Sequence, residues 1–173
     1  MKTRSSGLVL ACCIAVAASA AASDASNVTV IFDRPENFRD VKDAFVPTEK
    51  GRDDIFAEFR RFLADRAASY LDQGQRLEIK FTDIDLAGDF EPHVGTRFDA
   101  VRIMKDVYPP RLEFDFKLTG ADGRVIKEGK RRLTDMSYLQ RIIRPGNDGS
   151  LRYEEDLLTD WMHEDLAKAK SAG

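Results

Sequence analysis

The amino-acid sequence predicts an α+β domain, with an antiparallel sheet of about four to five strands and two amphipathic helices placed on one face of that sheet. The first observation is a hairpin pattern over 111–134, where polar and apolar residues alternate on either side of Asp122-Gly123, a dipeptide favoured in tight β-turns. The second is the helical spacing of apolar residues over 53–71 and again over 151–169. Strands that separate two such helices are typical of the α+β class.

Residues 1–22 have the layout of an export signal. Lys2 and Arg4 give a positively charged start, and an apolar stretch leads to a small-x-small cleavage site at Ala18-Ser19-Ala20. The apolar stretch is too short for a membrane span, which needs about 20 strongly apolar residues. We therefore expect cleavage near Ala20 or Ala22 and a periplasmic location.

The segment that remains, 23–173, is predicted to be a single domain with no membrane span. Both cysteines, Cys12 and Cys13, fall within the signal, so the mature chain has no thiol for catalysis, metal binding or a disulfide. An alternative is lipid attachment at Cys12, because the preceding residues loosely resemble a lipoprotein box. Removal of the signal takes away Lys2 and Arg4, so the number of basic residues falls from 27 to 25 while the number of acidic residues stays at 30. The mature chain then has a net charge of −5, and this composition indicates no basic surface that would bind nucleic acid.

The first half of the domain is predicted to form a strand, a loop, a helix and a second strand. Residues 27–32 are apolar and β-branched, as in a strand, and a polar stretch with two prolines over 33–51 predicts a loop. The helix over 53–71 has Asp53 or Asp54 as its predicted cap and turns a phenylalanine-rich stripe toward the sheet.

The strand over 76–88 changes phase in its middle. Its apolar residues occupy odd positions at first and even positions later: Leu77, Ile79 and Phe81, then Ile84 and Leu86. Because side chains alternate between the two faces of a sheet, an unbroken strand would bury Asp83 and Asp85. Burying two unpaired carboxylates costs several kcal/mol. We therefore predict a bulge near Thr82 that turns both aspartates out toward water.

A further strand is predicted over 100–108, before the hairpin. Folding the hairpin about a two-residue turn pairs residues whose numbers sum to 245. This register brings three pairs of opposite charge together: Lys117 with Glu128, Asp115 with Lys130, and Glu113 with Arg132. A shift by one residue would place Lys117 opposite Lys127, so the charges select the register.

The C-terminal part is predicted to form a short helix or turn over 135–143, a loop over 144–150 and the second helix over 151–169. Ser150 is the predicted cap of this helix. Three acidic residues suit its positive end: Glu154, Glu155 and Asp156.

Acidic residues gather where the strand over 76–88 ends, and a tyrosine and an arginine follow further along the chain. The candidate binding surface consists of six residues: Asp83, Asp85, Asp89, Glu91, Tyr108 and Arg111. Acidic loops are usually hydrated, and tyrosine and arginine are enriched in protein interfaces. The prediction is an exposed contact surface, with no catalytic residue assigned.

The same acidic loop leaves two alternatives open. Asp83, Asp85 and Asp89, with Gly88 at the sixth place, imitate the start of an EF-hand, but Val94 stands where the bidentate glutamate belongs. An irregular calcium or small-ligand site over 83–91 is one alternative. A hydrolase that uses a pair of these carboxylates is the other.

Other chemistries lack the residues that they need. His93 and His163 are the two histidines, and without cysteine they do not make the usual zinc ligand set. The sequence also lacks a Gly-x-Ser-x-Gly nucleophile elbow and a phosphate-binding glycine loop. No cofactor or metal is expected.

Four stretches in the same order resemble a known family: TDIDLAGDFEPH, VRIMKDVYPPRLEF, LTDMSYLQR and LRYEEDLLTDW. The chain resembles an uncharacterised family of exported bacterial proteins, domain of unknown function 3016, over nearly the whole mature chain. The resemblance implies an exported protein of Gram-negative type and carries over no activity or ligand residue. The leading hypothesis is a non-enzymatic envelope protein that binds another protein or an envelope component.

Overall fold

The structure is a computed structural model that describes residues 27–44, 46–91, 101–142 and 149–170. The predicted signal over 1–22, with Cys12, lies outside the described residues. So do His93 and most of the loop predicted over 144–150.

Four strands and two long helices make up the described fold. They are β1 Val28–Phe32, α1 Glu49–Ala67, β2 Arg76–Asp85, β3 Arg111–Thr119, β4 Val125–Thr134 and α2 Arg152–Lys170. Short 3₁₀ helices lie at Pro35–Asn37, Ala68–Tyr70 and Tyr138–Gln140. The last of these falls within the short helix or turn predicted over 135–143. The four strands and two long helices confirm the predicted α+β class.

The sheet is mixed, which corrects the expectation of a purely antiparallel sheet. Its order is β1-β2-β3-β4, with β1 parallel to β2 and the other neighbours antiparallel. The chain between β1 and β2 contains α1, and a crossover through a helix is what allows two consecutive strands to lie parallel.

The strand predicted over 100–108 is wrong for the described part of that segment. Ile103 makes one isolated antiparallel bridge with Asp89, and the Tyr108 N–H turns back to donate to the Lys105 carbonyl at 2.9 Å. Such local turns use backbone groups that a ladder would need, so the described sheet has four strands.

The helix α1 begins earlier than predicted, because its cap is Thr48 and neither Asp53 nor Asp54. The Thr48 hydroxyl accepts the Gly51 N–H at 2.9 Å, and the Asp43 carboxylate accepts both the N–H and the hydroxyl of Thr48. Gly51 fits here because a Cβ atom would lie 1.9 Å from Asp43 Cγ. A glycine that resembles a loop signal in the sequence therefore permits close packing in the first turn.

The hairpin register is confirmed, while its turn is longer than predicted. Glu113 pairs with Arg132, Asp115 with Lys130 and Lys117 with Glu128. The Gly120 N–H donates to the Arg124 carbonyl and the Gly123 N–H to the Gly120 carbonyl, which leaves a three-residue loop. Gly123 has a φ of 81°, the left-handed conformation that such loops require, and the register shifts by one residue at Thr119.

Both helices pack on one face of the sheet around one large hydrophobic cluster, and a small second cluster consists of Ala87, Tyr138 and Tyr153. Phe59 of α1 lies against Phe81 with a ring separation of 5.5 Å, and Trp161 of α2 meets Phe114 edge to face at 4.8 Å. The Phe81 and Phe114 rings in turn lie 5.5 Å apart across β2 and β3. Charged side chains, such as the pairs Lys130–Asp115 and Arg132–Glu113, occupy the opposite face, so the described fold has two layers.

Candidate functional site

The candidate site lies at the end of the sheet where β2 finishes and β3 begins. The pairing of β2 with β3 shifts between Phe81 and Asp83, which confirms the bulge predicted near Thr82. The bulge returns Ile84 to the core, where it is fully buried, and places Asp83 and Asp85 on the outer face.

The two aspartates are not simply hydrated, which differs from the sequence expectation. Their side chains are 17% and 30% exposed, and each lies beside an arginine. Asp83 accepts the Arg39 N–H at 3.0 Å and lies 3.2 Å from Arg39 Nε, whereas Asp85 lies 3.7 Å from Arg111 Nη1. Burial raises the pKa of Asp85, and Arg111 acts in the opposite direction.

A segment that follows β1 forms one wall of the site. The Asp40 N–H donates to the Ile84 carbonyl at 3.0 Å, and the Leu86 N–H donates to the Asp40 carbonyl at 3.2 Å. These bonds lay the segment parallel to the end of β2, with Asp40 opposite Asp85. The wall therefore depends on tertiary pairing between residues more than 40 positions apart.

Arg102 holds this wall to the opposite one. Its Nη1 donates to Asp40 Oδ2 and to the Gly88 carbonyl, both at 2.8 Å, and its Nη2 donates to the Lys42 carbonyl at 2.9 Å. The guanidinium also lies 4.7 Å from the centre of the Phe90 ring. Asp40 and Arg102 were not predicted as site residues, because a loop aspartate and a distant arginine give no local signal of pairing.

Between these walls lies a polar groove of about 290 Å³. Ten residues line it, four of which belong to the predicted surface: Asp85, Asp89, Tyr108 and Arg111, with Arg39, Asp40, Lys42, Gly88, Val107 and Pro109. The structure thus brings together residues from three separate segments of the chain, 39–42, 85–89 and 107–111. We name this feature the sheet-end groove.

The other two predicted surface residues lie at the margins of the groove. Asp83 contacts Arg39, as described above. Glu91 accepts from Lys105 Nζ at 2.5 Å and from the Tyr108 hydroxyl at 3.1 Å. The hydrogen bond from Lys105 lowers the pKa of Glu91, and the bond to Glu91 raises the pKa of Tyr108. These contacts orient Tyr108 on the wall of the groove.

Glu154 of α2 contacts the backbone next to the groove and is almost fully buried, at 1% exposure. Its Oε1 accepts the Ala87 N–H at 2.7 Å, immediately before Gly88 of the groove. Burial raises the pKa of Glu154 to about 7, against the opposing effect of the Ala87 N–H. Glu154 was predicted to be a helix-end acid, although its spacing of four and seven residues from Leu158 and Trp161 already places it on the apolar face.

Within the described residues, no group of three or more histidine, cysteine, aspartate or glutamate side chains is arranged to hold a metal ion. Asp83, the first residue of the EF-hand-like stretch, lies 3.2 Å from Arg39 Nε. The described part of the chain also contains no helix with the length and apolar character of a membrane span.

Comparison with known proteins identifies a family. The family model described as Protein of unknown function (DUF3016) matches residues 26–164, well over half of the chain. No significant match was found among curated proteins or among solved structures. The resemblance inferred from four sequence stretches is therefore confirmed, and the chain belongs to the DUF3016 family of proteins of unknown function.

Proposed function

We propose that this chain is an exported envelope protein whose sheet-end groove binds another protein or an envelope component without catalysing a reaction. The observation that carries the proposal is convergence: Asp85, Asp89, Tyr108 and Arg111 were selected from the sequence as a contact surface, and all four line one groove. The layout of residues 1–22 supports export.

The chemistry of the groove favours a ligand that has both hydrogen-bond donors and acceptors. Arg111 and Lys42 offer cationic donors, while Asp85 and Asp89 offer carboxylate acceptors. The contact between Arg111 and Asp85 is long, at 3.7 Å, so a ligand group can bind between them without breaking a short ion pair. A volume of about 290 Å³ suits one or two side chains of a partner or a single small moiety.

Binding fits the groove better than hydrolysis because three of the four nearby carboxylates, those other than Asp85, already accept hydrogen bonds from the protein itself. Asp40 accepts from Arg102, and Asp83 from Arg39, in bonds that fix the walls. Asp89 Oδ1 accepts the Phe90 N–H at 2.7 Å. A general acid or base must instead direct its oxygen at the reacting group.

Site-directed photocrosslinking in cells tests the groove. A photoreactive amino acid at Val107, which is 72% exposed on the groove wall, is expected to capture a discrete partner. The same group at Gln73, an exposed position that precedes β2 at the opposite end of the sheet, serves as the control. Equal labelling at both positions, or none at Val107, would contradict the proposal.

Charge reversal adds a matched comparison. Arg111→Glu is expected to abolish the crosslink from Val107, whereas Arg124→Glu at the hairpin tip is expected to leave it unchanged. Thermal melts of both variants show whether the fold is retained. A folded Arg111→Glu variant that still gives the full crosslink would refute a role for Arg111.

Export is tested separately by cell fractionation and mass spectrometry of the mature N-terminus. The expected result is a periplasmic protein that begins just after Ala20 or Ala22. A cytoplasmic protein that retains residues 1–22 would contradict export. A Cys12→Ala variant tests the lipid alternative, since loss of membrane association in that variant alone would favour a lipoprotein.

A further inference from the structure

Asp85 and Arg111 lie side by side in the sheet-end groove without a hydrogen bond between them. Their side chains are 30% and 34% exposed, and Asp85 Oδ2 lies 3.7 Å from Arg111 Nη1, which is beyond hydrogen-bonding distance. Within the described residues, no other group donates to the Asp85 carboxylate or accepts from the Arg111 guanidinium. We name these two side chains the open pair. Their acceptors and donors are available to a ligand in the groove.

Other charged groups at the groove differ from the open pair because they already have partners in the protein. Asp40 accepts from Arg102 Nη1 at 2.8 Å, and Asp89 Oδ1 accepts the N–H of the following residue at 2.7 Å. Among the cations, Arg39 Nε lies 3.2 Å from Asp83. A ligand that binds at the open pair therefore breaks none of these contacts.

The lining of the groove has no net charge, because three cations offset three carboxylates. These are Arg39, Lys42 and Arg111 against Asp40, Asp85 and Asp89. A ligand with a net charge would leave that charge without a counterpart, whereas a zwitterion has one charge for each member of the open pair.

The 3.7 Å separation of the open pair fits two charges carried on one carbon atom. Standard N–Cα and Cα–C bond lengths place the ammonium nitrogen of an α-amino acid about 2.5 Å from its carboxyl carbon. The ammonium can then donate to Asp85 while the carboxylate accepts from the planar guanidinium of Arg111. Hydrogen bonds between charged groups are stronger than those between neutral groups. A ligand with its two charges at opposite ends of an extended chain could not make both bonds.

The groove also offers apolar surface next to the open pair. Val107 and Pro109 line it, four and two residues before Arg111, and Val107 is 72% exposed. An apolar ligand side chain that covers this surface removes it from water, which favours binding. The volume of about 290 Å³ lies near the lower end of the range for small-molecule sites and suits a ligand as small as a single amino acid.

We propose that the sheet-end groove recognises an α-amino-acid group, with Arg111 binding its carboxylate, Asp85 binding its ammonium and the wall at Val107 and Pro109 covering an apolar side chain. This assignment rests on the proposed function, because it names the chemistry of the ligand that the groove would bind. Such a group occurs in a free amino acid and at the end of a side chain in a larger envelope component.

Calorimetric titration of the full chain with two isomers tests the proposal. L-Norleucine carries both charges on one carbon atom, whereas ε-aminocaproate has the same atoms with its charges at opposite ends. We expect saturable binding of L-norleucine and an affinity for ε-aminocaproate that is weaker by about tenfold or more. N-Acetylnorleucine and norleucine amide, each of which lacks one charge, should also bind more weakly than L-norleucine. Equal binding of the two isomers, or no binding of L-norleucine, would overturn the proposal.

Substitution places the ligand at the open pair. Asp85→Asn is expected to weaken L-norleucine by about tenfold or more, while Asp115→Asn, on the outer face of the same sheet, is expected to leave the affinity unchanged. Full affinity in a folded Asp85→Asn variant would refute the assignment. The comparison of isomers needs only the unaltered protein, so it decides the matter even if Asp85→Asn fails to fold.

The source of the group is identified by Nε-acetyl-lysine, whose α-amino-acid group lies at the end of an acylated chain. Tighter binding than L-norleucine would indicate a larger component, and weaker binding would indicate a free amino acid. The proposed function is judged separately by photocrosslinking at Val107. A partner captured there, with no binding of L-norleucine, would overturn the recognition of an α-amino-acid group and leave binding by the groove in place.

Discussion

Replacement of Asp165 by asparagine should release the edge strand β4 from α2. Asp165 accepts from Arg131 Nε at 2.6 Å, from Arg131 Nη2 at 2.9 Å and from Lys127 Nζ at 2.7 Å. The Arg131 guanidinium also lies 4.9 Å from the centre of the Phe116 ring. One carboxylate thus fixes two cations of β4 over the core face of the sheet.

The expected loss follows from the electrostatics of the carboxylate. The hydrogen bond from Arg131 is the main cause that lowers the pKa of Asp165 from 3.8 to about 2, and the side chain is only 16% exposed. A shift of this size corresponds to about 2 kcal/mol of stabilisation of the ionised form at pH 7, as an upper value. Lys127 and Arg131 can be partly hydrated after the substitution, so we expect a loss of about 1–2 kcal/mol in the free energy of unfolding.

The pH dependence gives the sharper test. Because the pKa of the folded state is depressed, the stabilisation is present above the unfolded pKa of 3.8 and is lost as pH falls through about 2. The deficit of Asp165→Asn in urea unfolding should therefore be full at pH 7, fall to about 1 kcal/mol at pH 3 and nearly vanish at pH 2.

Asp115→Asn is the matched control, since Asp115 pairs with Lys130 on the exposed face of the same hairpin. An exposed pair of this kind should contribute about 0–1 kcal/mol, below the expected effect at Asp165. The reasoning would be refuted if both variants lost the same stability, or if the deficit of Asp165→Asn stayed constant between pH 7 and pH 3.

Four other substitutions have effects that urea unfolding can measure. Thr48→Ala should cost about 1 kcal/mol because the Gly51 N–H loses its cap, and an unchanged stability would argue against Thr48 as the start of α1. Gly123→Ala should cost about 1–2 kcal/mol through its φ of 81° alone, since a Cβ atom there meets nothing within 4 Å; Gly123→Asn should cost less. Ile84→Ala should cost about 2–5 kcal/mol because Ile84 is fully buried, and a loss no larger than that of the exposed Ile31→Ala would contradict the bulge. Glu154→Gln should stabilise the fold at pH 8 by up to about 3 kcal/mol. The reason is that the folded state raises the pKa of Glu154 from 4.5 to about 7, so the favourable contribution of the wild-type side chain is lost as pH rises through this range. Equal stabilities of the two proteins at pH 8 would contradict a buried ionised carboxylate.

Local patterns predicted the parts of the fold that depend on neighbours in sequence. The register of the hairpin could be derived because three charged pairs fit only one alignment, and the alignment needs no information from outside 111–134. The bulge near Thr82 could be derived because the apolar pattern of β2 changes phase there. In the hairpin the unfavourable pairing of like charges, and in β2 the unfavourable burial of aspartates, both depend only on residues a few positions apart in sequence.

Distant partners explain what sequence reasoning missed. The parallel pairing of β1 with β2 depends on the path of α1, and neither strand records its neighbour in its own pattern. The Asp40–Arg102 pair joins residues 62 positions apart. Glu154 looked like an ordinary helix-end acid until Ala87, 67 positions away, was placed against it.

The sequence by itself determined the α+β class, the hairpin register and the removal of Asp83 and Asp85 from the core, because alternation and charge act over short distances along the chain. The tertiary structure alone decided that Asp85, Asp89, Tyr108 and Arg111 share a groove and that Glu154 accepts the Ala87 N–H beside it. The physical reason is that burial and ion pairing depend on which segments meet in space. The contacts of Arg102 with two distant segments, 40–42 and 87–90, show that such meetings leave no periodic trace in the sequence.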